Sequence, residues 1–87
     1  MRGNGTAVDF KLEGTFLNDH VHSARISKNT LFGITRASWS DLATDQKTAI
    51  IKKSVLLGEQ NEFGNVHFLD ASGQSMAFGS KKRVKIY

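Results

Sequence analysis

Residues 38–58, "SWSDLATDQKTAIIKKSVLLG", decide the fold. On either side the chain alternates in the manner of strands; here it does not, until "AIIKKSVLL" (49–57), which has the apolar density of a strand as well as of a helix. Trp39, Leu42, Ala43, Gln46, Ala49, Ile50 and Leu57 recur at helical spacing. Ser38 with Asp41 three residues on resembles a capping box, Asp replacing the usual Glu. Asp41 and Asp45 stand early and Lys47, Lys52 and Lys53 late, the order that suits a helix dipole. Gly58 supplies a stop. The spacing predicts one helix over about residues 39–57.

Upstream, Val8, Phe10, Leu12 and Phe16 share one parity, while Asp9, Lys11, Glu13 and Thr15 share the other. Period two predicts a strand with one buried face, and Gly14 marks a bulge or bend. A second strand runs from His20 to about Ile26. "SKNT" (27–30) reads as a hairpin turn in which Asn29 takes positive φ, and "TLFGIT" (30–35) is the return strand. Downstream, Val66 and Phe68 precede the turn "DASG" (70–73), with Gly73 at positive φ. Met76 and Phe78 follow. After "GSKK" (79–82), Val84 and Ile86 alternate with Arg83, Lys85 and Tyr87.

The order is three strands, one helix, then two or three strands: β-β-β-α-β-β with or without a sixth. It predicts an α+β fold: an antiparallel sheet or a small, partly closed barrel of OB-like order, plugged by the helix. An open sheet with the helix across one face meets the same pattern. The 87 residues suffice for a single domain, with residues 1–5 as a flexible start.

Composition narrows the partners. Apolar residues make up 39% and charged residues 23%, the proportions of a packed domain rather than a disordered tail. There is no Cys, so disulfides and thiolate metal sites are excluded. That favours a reducing compartment and a cytoplasmic location, although a mature secreted domain given a new Met would read the same. The start lacks a signal peptide's apolar segment, and no apolar run reaches membrane-spanning length. The net charge is +4, and residues 45–87 carry seven Lys/Arg against four Asp/Glu. Such a bias attracts polyanions, so the expected partner is nucleic acid or an acidic protein surface, with homo-oligomers left open. No phosphate-binding Gly loop, nucleophile elbow, HExxH or EF-hand loop occurs, and no cofactor is expected.

Two stretches carry candidate chemistry. In "NDHVHSAR" (18–25), a strand would set His20 and His22 on one face. A metal site needs a third and usually a fourth ligand, and His67 is the only other histidine, so no metal is assigned. With Arg25 on phosphate and His67 or a glutamate as partner, His20 and His22 would instead supply the base and acid of a metal-independent ribonuclease. Small basic ribonuclease toxins combine a helix with a β-meander, a resemblance of size and composition. In "SKKRVKIY" (80–87), Lys81, Lys82, Arg83 and Lys85 form the densest positive cluster. With Tyr87 beside them they would position phosphates and stack a base, Arg25 and Lys28 extending the track. The plainer account is a charged edge strand that blocks sheet-to-sheet aggregation.

"NEFGNVHFLD" (61–70) places Phe63, Gly64, Val66 and Phe68 where the aromatic octamer of RNA recognition motifs has F, G, V and F. Asn61 and Glu62 replace its leading basic residue and Gly, Asn65 replaces its second stacking aromatic, and one helix is found where that fold needs two. The motif is absent, and Phe63, Val66 and Phe68 are expected in the core. "DQKTAIIKKSVLLGEQ" (45–60) is similar to the long helix of the pentameric, sugar-binding B subunits of cholera-type enterotoxins. That resemblance implies an OB fold and oligosaccharide binding, and carries over no binding residue; the disulfide typical of that group is impossible here.

Three classes of function survive. The favoured one is a small basic module contacting nucleic acid, or another polyanion, through its C-terminal strand. The others are a structural or inhibitory interaction protein, such as a phage-encoded assembly or blocking factor, and the ribonuclease toxin domain.

Overall fold

The computed structural model describes residues 8–61 and 63–87, so the expected flexible start at residues 1–5 lies outside the described residues. The elements are β1 (Val8–Asp9), β2 (Val21–Ser27), β3 (Thr30–Thr35), α1 (Thr44–Asn61), β4 (Asn65–Leu69), β5 (Ser75–Gly79) and β6 (Val84–Ile86). Single 3-10 turns occupy Phe16–Asp19 and Ala37–Asp41. The six strands form one sheet in the order β1-β2-β3-β4-β5-β6. All neighbours are antiparallel except β3 and β4, which run parallel. A parallel pair needs a crossover, and α1 supplies it. The α+β class and the strand-helix order are those expected. The sheet is mixed rather than wholly antiparallel, and it stays open rather than closing into a barrel.

The helix begins later than its sequence pattern implied. Residues 37–41 form the 3-10 turn, and Leu42 leaves it in extended geometry. The Ser38–Asp41 capping box does not form. The cap is Ala43, whose carbonyl accepts from Lys47 N–H at 3.0 Å and whose own N–H donates to Gln46 Oε1 at 2.9 Å. This is the Gln half of a capping box, displaced five residues along the chain. The buried stripe shifts with it to Ile50, Ile51, Ser54, Val55 and Gly58, leaving Ala49 and Gln46 exposed. Trp39 belongs to the core through the turn, so counting helical phase from it set the stripe out of register. Ser54, the polar member, donates to Ile50 O at 2.7 Å, which satisfies its hydroxyl inside the core.

Gly58 does not stop the helix. It clears space for Phe63, whose backbone and ring meet the place a Cβ would occupy and whose N–H donates to Gly58 O at 3.1 Å. Gly79 plays the same part for Ile51: α1 lies so close to β5 that a Cβ there would collide with the isoleucine side chain. This contact identifies the sheet face that α1 covers. Ala77 and Gly79 point toward the helix, and Met76 and Phe78 do not share that parity.

The long alternation of the first segment gives only a two-residue strand. Phe10 N–H still donates to Ala24 O at 2.9 Å, after which the chain turns through Gly14 at φ +83°. Leu12 and Leu17 are buried, with Phe10 and Phe16 packed against the core, so the apolar residues serve as a loop cover rather than a pleated face. In the β2–β3 hairpin it is Lys28, at φ 59°, and not Asn29 that takes positive φ. Gly73 takes it as expected, at φ 92°. Trp39, Leu17, Val21, Leu31, Ile51, Val66 and Phe68 are fully buried, and Trp39 meets the Phe68 ring edge-on at 5.4 Å.

Candidate nucleic-acid interface

With α1, Trp39 and the 10–19 loop all on one side, the sheet's other face has no element above it among the described residues. Strand alternation decides what it displays. The registers link Asp9 to Arg25, Arg25 to Phe32, Phe32 to His67, His67 to Phe78, and Phe78 to Lys85. One row therefore crosses all six strands. Its centre is aromatic: the Phe32 and His67 rings are 5.8 Å apart and the His67 and Phe78 rings 5.9 Å. Its flanks are cationic, with Arg25 on β2 and Lys85 on β6. Strand spacing puts those two about 19 Å apart. A parallel row adds Ser23, Ile34, Leu69 and Ser75. None of Phe32, Ile34, Leu69 and Phe78 belongs to the core or its packed fringe.

His67 is held in place. Its Nε2 is 2.9 Å from Ser75 Oγ, and rings flank it on both sides. Lys85 lies with its Nζ 5.1 Å from the centre of the Tyr87 ring, and Tyr87 is 58% exposed, so the far end of β6 adds a free aromatic beside a free cation. Tyr87 N–H donates to Met76 O at 3.1 Å, which fixes its backbone to β5. Among the described residues the ion pair within 4 Å is Lys81–Glu59, at 3.5 Å; Arg25 and Lys85 form none, although Asp9 is the cross-strand neighbour of Arg25.

The expected cation cluster is divided. Lys81, Lys82 and Arg83 sit in the β5–β6 turn and line a groove against α1, on the helix side. Only Lys85 and Tyr87 reach the row just described. Lys28 occupies the β2–β3 turn, at the same end of the sheet as Lys81–Arg83, since β2 ends, β3 and β4 begin and β5 ends there. Arg25 joins Lys85 through three intervening strands. Lysine count along the sequence pointed to one strand; the sheet instead gathers its cations from both ends of the chain.

The histidines also part company. His20 precedes β2 with αR backbone, and His22 is the extra residue of a bulge between Val21 and Ser23, so strand alternation does not relate them. Arg36, the nearest cation by register, is engaged: its N–H donates to His20 O and its Nε to Asn18 O, both at 2.9 Å. It is His67 that the register brings into line with Arg25, two strand spacings or about 10 Å away. No group of three His, Cys, Asp or Glu side chains comes together among the described residues. Asp70 closes the β4–β5 turn by accepting from Ser72 and Gln74. A hydrogen bond from the Ser72 hydroxyl, then N–H groups of the turn, hold its pKa below the usual aspartate value.

Phe32 and Phe78 escaped the sequence reading, and His67 entered it as a ribonuclease partner rather than as part of an aromatic row. The signal was present in "SMAFG": the small residues Ala77 and Gly79 are the ones a helix packs against, which turns Phe78 outward. Among the described residues no helix is long and apolar enough to cross a membrane. No family model, curated protein or solved structure matches the chain.

Proposed function

We propose that this chain binds single-stranded nucleic acid on the helix-free face of its sheet. The observation that carries it is the cross-strand row Arg25–Phe32–His67–Phe78–Lys85. A sheet face whose alternate residues are aromatic offers flat surfaces for unpaired bases, and base–aromatic stacking contributes about 1–3 kcal/mol per base. Cations on either side of the aromatic centre, Arg25 and Lys85, match the phosphates of a strand lying across it, with Asp9 beyond Arg25 at the β1 edge. Duplex bases are already stacked and present no π-face, so single strands are the preferred form. Lys28 and Tyr87 extend the track along the two long edges. The chain acts by binding; the histidine at the centre is flanked by the Phe32 and Phe78 rings and bonded to Ser75 rather than paired with a second acid–base group.

The test is titration of a fluorescein-labelled oligouridine, an oligodeoxythymidine and a duplex into the purified protein at two salt concentrations, with fragmentation read in EDTA. Single strands bind, more weakly at high salt, and stay intact. Equal affinity for the duplex, or none for any of the three at low salt, overturns the reading. Cleavage in EDTA would return the ribonuclease assignment.

A further inference from the structure

Lys81, Lys82 and Arg83, which the row leaves out, line a second feature. Between the outer flank of α1 and the β5–β6 turn lies a groove of ≈ 690 Å³. Val55, Leu56 and Val84 give it an apolar floor, and Lys52, Lys81, Lys82 and Arg83 stand along its rim. Among the described residues Glu59 is its one carboxylate, and it engages only Lys81. Leu56 is 63% exposed, an apolar side chain amid uncompensated positive charge. Beside the groove runs the open edge of the sheet. Ser80 N–H donates to Arg83 O and Tyr87 N–H to Met76 O, so odd-numbered residues of this strand bond to β5. By alternation, the N–H and C=O groups of Val84 and Ile86 turn outward, unpaired by any strand among the described residues.

We propose that this corner receives an acidic segment of a partner protein, extended along β6, with one apolar side chain seated on Leu56 and Val84. Adding a strand to an open edge supplies main-chain hydrogen bonds, and pockets for alternate side chains supply selectivity. The rim charge selects acidic sequence. A small anionic ligand fits less well, because such sites need a few fixed polar groups, and these cations are long and exposed, Lys81 to 70% of its side chain. A second copy of the chain, itself at +4, would be repelled. The groove lies on the helix side of the sheet and the aromatic row on the other, so both ligands are held at once, β6 offering its outward main-chain groups to one and Lys85 to the other.

The probe is a labelled 12-residue peptide of glutamates with a central leucine and valine, followed by anisotropy. The comparison peptide has equal charge, with glycines at the two apolar positions. Hydrogen exchange is read at single amides by NMR. Binding is expected, weaker for the glycine peptide and about tenfold weaker for the exposed-site double variant Lys52→Glu/Lys82→Glu. Exchange slows at Val84 and Ile86. Phe32→Ala and Phe78→Ala weaken oligonucleotide binding and leave the peptide untouched, which separates this site from the nucleic-acid face. The proposal is overturned by absence of peptide binding, by equal binding of the glycine peptide, by unchanged exchange at Val84 and Ile86, or by displacement of the peptide with oligouridine.

Discussion

Replacing Phe78 with alanine separates stacking from charge on the helix-free face. Phe78 stands between His67 and Lys85 in the row, outside the core and its packed fringe. The fold loses a cross-strand pair, worth about 0.2–1 kcal/mol, and keeps its core. Binding loses one stacked base, about 1–3 kcal/mol, or roughly a 5- to 150-fold rise in Kd. Phe32→Ala should cost a similar amount, since its ring lies as close to His67 as that of Phe78. Lys85→Ala acts differently. With Arg25, Lys28 and Lys85 on phosphates, log K falls with log salt at a slope of about −2, and removing one cation flattens it by about 0.7. The assay is anisotropy of a labelled oligouridine across a salt series. Fluorescence of the single tryptophan, Trp39, buried against Phe68, confirms that each variant is folded. The aromatic variants should lower affinity at every salt concentration without changing the slope; the cation variants should change the slope. Unchanged affinity in both aromatic variants would sink the stacking model, and so would a slope that moves with the rings and not with the cations.

Three further outcomes follow from the fold. Gly79→Val should destabilise by at least about 1–3 kcal/mol, because its Cβ meets Ile51, itself fully buried and unable to retreat; a denaturant melt followed at Trp39 reads it. Lys28→Gly should stabilise by up to about 1 kcal/mol in the same melt, because glycine takes the hairpin's positive φ without the strain a Cβ brings. Asp70→Asn should remove a pH-dependent part of the stability. The folded pKa of Asp70 is depressed, so its contribution is complete above the ordinary aspartate pKa of about 3.9 and is lost as pH falls through the lower folded value. Melts of the two proteins should therefore differ in their acid limb; parallel limbs would show that the Ser72 and Gln74 bonds to Asp70 are not kept in solution.

The later strands were legible because their turns are fixed by local chemistry. Asp70 closes its own turn through Ser72 and Gln74, Gly73 supplies the left-handed residue, and the flanking alternation then sets β4 and β5. The first strand was not legible. Val8 to Phe16 alternates well, yet Gly14 turns the chain, and a loop buries Leu12 and Leu17 as effectively as a pleat would. Burial rewards apolar residues without regard to how the backbone delivers them. The helix was found, with its start misplaced, because Trp39 lies in the core by a different route. The candidate site was the least legible part. Arg25, Phe32, His67, Phe78 and Lys85 span most of the sequence, and only the register brings them into one line. The parallel β3–β4 pairing completes that line, and it follows from the helix standing between the strands, which returns the chain to the end it left.

An uncovered face bearing Phe32, Ile34, Leu69 and Phe78 invites a second explanation, stacking of two sheets. Symmetry limits it. With the two-fold axis along the row, Arg25 meets its own copy and Lys85 meets its own, and like charges are brought together on drying. With the axis parallel to the strands, Asp9 faces the other Lys85 and Arg25 faces the other Phe78, which is electrostatically tolerable. Yet that arrangement also buries His67 and Ser75, already bonded to each other, with Thr30, Asn65 and Ser23, whose remaining hydrogen-bonding groups need new partners. Unpaired bases carry their own donors and acceptors and meet those groups directly, whereas a second copy offers only the same set again. The chain should therefore sediment as a monomer at micromolar concentration without nucleic acid. A stable dimer that Phe78→Ala dissociates, and that oligouridine fails to dissociate, would assign this face to self-association instead.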